Sequence, residues 1–399
     1  MTKDKTHIPE LRFPEFQNDG EWEIKALGDL VYINSGKDYK HLDFGDIPVY
    51  GTGGYMLSVN DKLSDVDAIG IGRKGTIDKP QYLKAPFWTV DTLFFLINKN
   101  TYNIRFLYYL SQTIDWKRYS EQTGLPSLSK TTIQRINVII PIGIDKSIIE
   151  QQKIANCLTS LDSYIEATKY KLDQLKEHKK GLMQRLFPAN GKTLPELRFS
   201  EFQNEGEWNS DTMEVIFDIK NGYTPSKLNP SFWENGTIPW FRMEDIRENG
   251  HILSDSIQHI TPAAVKGAGL FPANSIIVST TATIGEHALI IVDSLANQRF
   301  TFLSKRKSFD NKIDMMYFHY FMFIVDEWCK RNTNAGGLVA VNMNSFKKLV
   351  IPYPSSLLEQ KKIAECFVSI DKQIDATKHK FEHLKKYKRG LMQQLFPKI

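Results

Sequence analysis

Two stretches of the chain carry apolar residues at alternating spacings of three and four. In the first, the positions are Ile154, Leu158, Leu161, Ile165, Thr168, Leu172, Leu175, Lys179, Leu182 and Leu186. In the second, they are Ile363, Phe367, Ile370, Ile374, Thr377, Phe381, Leu384, Lys388, Leu391 and Leu395. This spacing is typical of a coiled-coil seam and predicts two long helices. Pro188 and Pro397 should end them, because proline cannot continue the helical hydrogen-bond ladder.

The two seams match position by position at an offset of 209 residues, including the polar interruptions Thr168/Thr377 and Lys179/Lys388. An apolar stripe of this length needs a partner. We therefore expect the helices to pair as an antiparallel coiled coil in which Thr168 faces Thr377. The alternative is that each helix packs on its own domain.

The pattern is different in residues 23–145 and 209–355. Short β-type runs such as IGIGRK, LFFLI, VIIPI, SIIVS and HALIIV alternate there with Gly, Pro and Asn. Each region also carries one helical stretch, near Ile104–Tyr119 and Met315–Lys330. The pattern predicts two α+β domains with exposed loop tips.

The chain is also duplicated outside the helices. The segment IPELRFPEFQNDGEWE from Ile8 recurs as LPELRFSEFQNEGEWN from Leu194, an offset of 186. We expect an opening segment (1–22), a domain (23–145) and a helix (146–188), and then a second opening segment (189–208), domain (209–355) and helix (356–399). The fold class is thus α+β, with two similar domains separated by two long helices in a pseudo-two-fold internal repeat.

The two domains share landmarks but differ between them. Gly36 matches Gly222 at the offset of 186, and Phe95-Leu96 matches Phe302-Leu303 at 207. At intervening positions KDYK of the first domain faces YTPS of the second, RK faces TT, and DT faces QR. Two domains that share a fold but differ in their loop tips are suited to binding two different ligands of one class.

Composition narrows the class of protein only slightly. The 399 residues carry a formal net charge of +5 with a pI near 8.8, which suits a nucleic-acid partner without requiring one. Three cysteines cannot form a disulfide framework, and neither they nor the nine histidines show metal-ligand spacing. No signal peptide or bilayer-spanning run is visible, so we expect a cytoplasmic protein without a membrane partner.

Several motifs together resemble those of a known family. The RFpEF…eW box that opens each half, the IP…EQ…IA start of each helix and the GLMQ.LFP ending resemble the specificity subunit of type I restriction-modification enzymes, over essentially the whole chain. The resemblance implies two target recognition domains, each of which reads one half of an asymmetric, bipartite sequence in double-stranded DNA. It implies helices that set the gap between the half-sites and dock two methyltransferase subunits, with restriction subunits joining through the complex.

Catalytic motifs are not found in the sequence. The nearest string to the [DNS]PP[YFW] motif of base-flipping methyltransferases is NPSFW at Asn229, which lacks the second proline. No GxxxxGK[ST], HExxH or GxSxG motif is present. We predict a non-catalytic subunit that binds no cofactor, while S-adenosylmethionine, ATP and Mg belong to partner subunits as the resemblance implies. The alternatives are a structural adaptor with twin protein- or glycan-binding domains, and a self-contained methyltransferase.

The candidate DNA contacts are polar and aromatic residues of the loop tips. Phosphates attract Lys, Arg and hydroxyls, whereas base edges attract Arg, Lys, Asn and Gln. In the first domain the candidates are Lys37, Tyr39, Lys40, Tyr50, Arg73, Lys74 and Lys130. In the second they are Thr224, Ser226, Lys227, Trp240, Arg242, Thr280, Gln298, Arg299 and Asn342. Each could instead be a solvated surface residue, and Trp240 could be a core residue.

The duplicated helix endings supply candidate contacts for protein partners. After the seam is satisfied, the apolar residues that remain are Met183, Phe187, Met392 and Phe396. A partner that binds one ending should bind the other, which predicts two copies of it. The alternative is that these side chains pack on the adjacent recognition domain.

Overall fold

The computed structural model describes residues 7–99, 102–142, 144–189, 191–267, 269–334 and 339–398. The chain divides into two compact units. The first consists of the residues up to Lys171 together with those from Thr377 onward, and the second is Leu172–Ala376. Each unit therefore contains one α+β domain and a part of each long helix.

The first domain is formed by strands β1 (Glu23–Ala26), β2 (Val31–Ser35), β3 (Phe44–Gly51), β4 (Gly54–Val59), β5 (Ala68–Gly72), β6 (Gln81–Leu83), β7 (Trp88–Thr89), β8 (Leu93–Asn98) and β9 (Asn137–Ile140). The strands form sheets in the orders β2-β8-β5-β6, β4-β3-β7 and β1-β9. Its helices are α1 (Leu27–Leu30), α2 (Ile104–Ser111) and α3 (Lys130–Arg135), and the chain then enters α4 (Ile144–Leu186).

The second domain repeats this plan with strands β10 (Asn209–Thr212), β11 (Phe217–Asn221), β12 (Ile238–Phe241), β13 (Ile252–Leu253), β14 (His259–Ile260), β15 (Ser275–Ser279), β16 (His287–Ile290), β17 (Leu295–Ala296), β18 (Phe300–Lys305) and β19 (Val350–Tyr353). The sheet orders are β11-β18-β15-β16-β13, β14-β12-β17 and β10-β19. Its helices are α5 (Met213–Ile216), α6 (Met243–Asn249), α7 (Met315–Arg331) and α8 (Met343–Lys347), followed by α9 (Leu357–Leu395). The predicted α+β class is confirmed.

The central strands are continuously apolar because both faces of their sheet are covered. In β5 every residue is buried. Ile69 and Ile71 point to the core that contains α2, whereas Ala68 belongs to the core shared with the three-stranded sheet. Successive residues of a strand face opposite sides, so a strand between two cores shows no polar alternation.

The first predicted helical stretch is shorter than expected. It runs as α2 only to Ser111 and resumes as a 3-10 turn at Trp116–Tyr119. The Ser111 hydroxyl donates to Tyr108 O, and the Trp116 indole donates to Ser111 O at 2.8 Å. The indole thus bonds the Ser111 carbonyl, which in a continuing helix would accept from the backbone N–H of residue 115. The second stretch, α7, has nearly the predicted bounds.

The long helices end two residues before their prolines and pair antiparallel, as predicted. In the first unit Lys388 of α9 lies 2.6 Å from Asp162 of α4. In the second unit Lys179 of α4 lies 2.6 Å from Asp371 of α9. A residue early in one helix thus meets a residue late in the other each time. Thr168 is buried, as is its counterpart in the second seam, and their mutual contact stays a prediction.

The alternative packing also holds for the start of each helix. Ile154 and Leu158 belong to the core of the first domain, and Ile363 and Phe367 belong to the core of the second. The seam therefore serves two purposes, since one part of each helix packs on its own domain while the helices also contact each other. The described helices include none with the length and hydropathy that crossing a bilayer needs.

An ion pair with a buried glutamate fastens each opening segment to a long helix. Arg12 binds Glu150 through two hydrogen bonds of 2.7 and 2.9 Å. Its counterpart Arg198 binds Glu359 through two of 2.7 Å. These hydrogen bonds raise the pKa of each arginine above its usual range. Two parallel hydrogen bonds fix direction as well as contact.

The apolar helix endings are buried, which corrects their prediction as partner contacts. Phe187 is 1% exposed and stacks on Phe367 at 5.6 Å. Phe396 is 2% exposed and lies 5.5 Å from Phe106. Met392 is also buried, whereas Met183 is half-buried against the second core. The endings pack on the recognition domains, which was the alternative, and only Met183 stays a predicted partner contact.

Candidate nucleic-acid interface

Two glycines place the candidate loops in both domains. A Cβ atom on Gly36 would lie 2.0 Å from Val90 O, and one on Gly222 would lie 2.3 Å from Ala296 O. Only glycine permits so close an approach of two backbones. The loop that follows each glycine is therefore held against the loop that precedes β8 or β18.

The first loop cluster consists of residues 36–42, 72–76, 89–93 and 126–130. Lys37 N donates to Thr89 O at 2.9 Å, and Arg73 N donates to Thr92 O at 2.8 Å. Leu128 N donates to Arg73 O at 3.0 Å, two residues before Lys130. These bonds place the predicted Lys37, Arg73, Lys74 and Lys130 on adjoining loops, and all four side chains are exposed.

The other predicted residues of the first domain lie at the edge of this cluster. Tyr50 O accepts a hydrogen bond from Val90 N at 3.0 Å, so the end of β3 reaches the cluster. The Tyr50 ring is half-buried and meets Tyr55 edge-to-face at 6.5 Å. Tyr39 is half-buried against the core of the three-stranded sheet, whereas Lys40 is exposed.

The second loop cluster consists of residues 222–229, 279–281, 296–300 and 340–342. Thr280 N donates to Arg299 O at 3.1 Å, as Arg73 does to Thr92 in the first cluster. Val341 N donates to Thr280 O at 2.9 Å, and the Thr224 hydroxyl donates to Gln298 Oε1. The cluster also holds Ser226 and Lys227, both exposed, and Asn342.

Arg242 follows β12 beside the second cluster. Phe241 O accepts from Asn297 N at 3.1 Å, which brings the end of β12 to the 296–300 loop. The Arg242 guanidinium lies 6.0 Å from the centre of the Trp240 ring. Its Nε is buried and has no acceptor among the described residues. The nearby Glu244 carboxylate lies 4.0 Å from it, which is too long for a hydrogen bond.

Two predicted contacts of the second domain are buried and are corrected. Trp240 is 2% exposed, and its indole donates to Tyr223 O at 3.0 Å. It is a core residue, which was the alternative. Thr280 is 7% exposed, and its hydroxyl lies 3.1 Å from that of Thr301. Both side chains pack beneath the loops of the cluster and expose almost no surface that DNA could contact.

The two amides predicted to read adenine have part of their hydrogen-bonding capacity in use. Asn342 Oδ1 accepts from Ser345 N at 3.1 Å and caps α8. Gln298 Oε1 accepts from the Thr224 hydroxyl. Each keeps its two N–H donors and one lone pair. Pairing with an adenine therefore stays a prediction that uses the remaining lone pair.

The electrostatics of the two clusters differ. The exposed candidates of the first are mostly cations, whereas those of the second include hydroxyl and amide groups beside Lys227 and Arg299. In the first domain Glu121 accepts hydrogen bonds from Ser129 and Thr132, which lower its pKa and keep it ionised near Lys130. Over the described ranges, no group of three or more His, Cys, Asp or Glu side chains is arranged to hold a metal ion.

Two residues in or beside the second cluster were not predicted. Lys266 Nζ lies 4.7 Å from the centre of the Tyr223 ring, but 43 residues separate them, so no local signal exists. Leu228 is 95% exposed in the turn between Lys227 and Asn229. An apolar residue inside the polar string SKLNP was its signal.

Comparisons with known proteins identify relatives along the chain. A family model described as "Type I restriction modification DNA specificity domain" matches residues 19–177 and 205–386. The type I restriction enzyme EcoprrI specificity subunit of Escherichia coli is 51% identical over 152 residues, which is 38% of each chain. The type I restriction enzyme MjaVIII specificity subunit of Methanocaldococcus jannaschii is 25% identical over 96% of this chain and 93% of the relative.

A solved structure has a similar fold along almost the whole chain. The S subunit of a type I restriction-modification system from M. genitalium matches with a TM-score of 0.64 at 16% identity, covering 98% of this chain and 99% of that one. At this identity the likeness concerns the fold.

Proposed function

The chain belongs to the type I restriction-modification DNA specificity family, and on this premise we propose that each of its two recognition domains reads one half of a bipartite DNA target. It is a non-catalytic specificity subunit. One observation carries the proposal: the two loop clusters share their backbone contacts, Arg73–Thr92 and Thr280–Arg299, while their side chains differ. A common frame with different side chains suits two unequal DNA words.

The exposed charges favour DNA over the ligands of an adaptor. Lys37, Lys40, Lys74 and Lys130 can bind phosphates of the first half-site. In the second half-site the guanidinium groups of the exposed Arg299 and the half-buried Arg242 are suited to guanine, whose O6 and N7 accept hydrogen bonds in the major groove. Binding through such contacts weakens as salt rises. An adaptor for proteins or glycans would show no preference for one duplex sequence.

Duplicated surface residues support the docking of two methyltransferase subunits. At the start of α4, Ile149 is 58% exposed; at the same place in α9, Leu358 is 71% exposed. Lys153 and its repeat Lys362 are identical and exposed beside them. The fold does not require large apolar side chains at exposed positions, so their repetition is explained by one partner bound twice. The bound subunits would direct adenine methylation and, with restriction subunits, cleavage.

The long helices would set the gap between the half-sites. A helix of 43 residues such as α4 extends about 65 Å at 1.5 Å per residue. Half-sites on one face of a duplex lie about 34 Å or a multiple of it apart. Inserting one heptad into α4 should change the tolerated gap and leave both half-sites unaltered.

Mapping of methylated adenines in cells with and without this gene tests the proposal. We expect a gapped, two-part motif that disappears with the gene. Exchange of residues 23–145 for those of a relative should then alter one half of the motif. A change in both halves would contradict separate reading, and the absence of any motif would favour the adaptor.

Docking can be tested separately with charge substitutions. Ile149→Asp and Leu358→Asp should each remove one of two methyltransferase copies, and the double variant should remove both, as measured by the mass of the purified complex. Tyr170→Asp is the control, because Tyr170 is 67% exposed but its repeat position is His379. Full assembly of the double variant would reject this surface.

A further inference from the structure

Leu228 is the large apolar side chain that the second loop cluster presents to solvent. It is 95% exposed, and Lys227 beside it is also exposed. Ser226 O accepts from Asn229 N at 3.3 Å, so Lys227 and Leu228 occupy the two corners of a β-turn. Such corners favour Gly, Asn, Asp or Ser. Local folding therefore does not explain a leucine at this place.

The turn is held firmly at both ends. The Trp233 indole donates to Ser226 O at 2.9 Å, and Trp233 packs edge-to-face on the buried Trp240 at 5.0 Å. Trp240 in turn donates to Tyr223 O. After the turn, Asn229 Oδ1 accepts from Ser231 N at 3.2 Å. A side chain on so anchored a turn is presented in one direction, which lowers the entropy lost when it binds.

The charge around Leu228 is favourable to DNA. The segment Tyr223–Asn229 contains no acidic residue and includes Lys227. Lys266 adds a second cation over the Tyr223 ring. A cation beside an exposed apolar tip can neutralise a phosphate while the tip meets the bases.

On the basis of the proposed function, we propose that Leu228 is an apolar wedge that inserts between stacked base pairs of the half-site read by the second recognition domain. Leucine is among the side chains that enter base steps and kink a duplex. The unstacked step is also easier to distort, which assists a methyltransferase that must extrude its target base.

Phe44 provides a matched control in the first domain. It is 90% exposed, nearly as much as Leu228. However, it lies in the β3–β4 ladder opposite Val59, and the exposed Asp43 and Asp46 flank it. Their carboxylates repel phosphate, so equal exposure does not make Phe44 a wedge.

The test uses the full chain in complex with its methyltransferase subunits and duplexes that carry the mapped target. 2-Aminopurine, which fluoresces when unstacked, replaces one base at a time. We expect a rise at one step of the second half-site that Leu228→Ala abolishes, with affinity for the target at least about tenfold weaker. Phe44→Ala should leave both unchanged. A rise at the methylated base that survives Leu228→Ala belongs to base extrusion and serves as an internal control.

Three outcomes would overturn the wedge. Fluorescence at the step that persists in Leu228→Ala would show that another group unstacks it. A second outcome is a Leu228→Ala chain that still binds DNA but no longer co-purifies with the methyltransferase subunits. That result would make Leu228 a protein contact. If the unsubstituted complex shows no sequence-dependent DNA binding, the proposed function itself is wrong. That failure is distinguishable from failure of the wedge alone, because it is observed without any variant.

Discussion

The first and second recognition domains are fastened to the long helices by the same contacts, yet they differ inside. Tyr109 donates to Asp162 at 2.8 Å in the first unit, and Tyr320 donates to Asp371 at 2.8 Å in the second. A lysine of the other helix completes each group. The contacts between each domain and the two long helices are thus the same in both units.

The interior behind the second sheet is polar where that of the first is aromatic. His287 Nδ1 lies 2.7 Å from Asp326 Oδ2, and its Nε2 lies 2.9 Å from His319 O. Because Tyr109 and Tyr320 are equivalent, His319 corresponds to Tyr108 of the first domain. The Tyr108 ring contacts the Tyr82 ring, with the ring centres 5.5 Å apart. The contacts to the helices are therefore the same in both domains, whereas the side chains behind the sheets and those of the loop tips differ.

The largest expected effect concerns the buried helix endings. Phe187→Ala and Phe396→Ala should each destabilise the protein by about 3–5 kcal/mol, because each leaves a cavity in a recognition-domain core. Urea unfolding of the full chain measures the loss, and equal values would confirm equal docking. Met183→Ala, at the edge of the second core, is the milder control. Unchanged stability in both phenylalanine variants would contradict their burial.

The buried ion pairs come next. Arg12→Met and Arg198→Met should each cost about 3 kcal/mol, since a buried glutamate loses its partner. Removing both members, as in Arg12→Met with Glu150→Leu, should recover much of that loss. Arg185→Met is the control, because its pair with Glu196 is exposed, and it should cost less than about 1 kcal/mol. A marked difference between Arg12 and Arg198 would break the equivalence of the two halves.

Acidification should distinguish the domains. Burial and then the nearby His287, His251 and Lys179 lower the pKa of His319 well below 6.5. The folded state thus binds fewer protons, so its full stability is present above pH 6.5 and is lost as pH falls towards the folded pKa. The slope for one proton cannot exceed about 1.4 kcal/mol per pH unit.

Hydrogen exchange of each domain, corrected for intrinsic pH dependence, measures this effect. Protection in the second domain should fall below pH 6.5, and His319→Phe should reduce the fall. Burial raises the pKa of Asp326, which acts in the opposite sense, so the difference between the variant and the unsubstituted chain is the quantity to compare. An equal loss of protection in the first domain would contradict the assignment of this pH dependence to His319.

The smallest effect is expected at the seam lysines. Lys179→Met and Lys388→Met leave Asp371 and Asp162 with their tyrosine hydrogen bonds, so each should cost only about 1 kcal/mol. Thermal unfolding of the two variants side by side provides the measurement. Unequal shifts would show that the helices are held differently in the two units.

Much of the fold could be predicted because its signals are local. The seam of Ile154 to Leu186 depends on spacing along one helix, and the β-type runs depend on neighbouring residues. The length of α2 could not be predicted, since Trp116 ends it through a bond to Ser111 O. In the candidate site, the landmark glycines indicated loops that the structure brings together, but they did not indicate that the Thr280 side chain is buried.

The sequence alone determined the duplication, the paired helices, the α+β class and the loops that differ between halves, because repeats and periodicities are properties of the chain itself. Only the tertiary structure decided that Trp240, Thr280, Phe187 and Phe396 are buried and that Leu228 is not. Exposure depends on which distant segments pack over a side chain. The local sequences before Pro188 and Pro397, GLMQRLF and GLMQQLF, differ at one position, and both phenylalanines are covered by domains whose residues lie elsewhere in the chain.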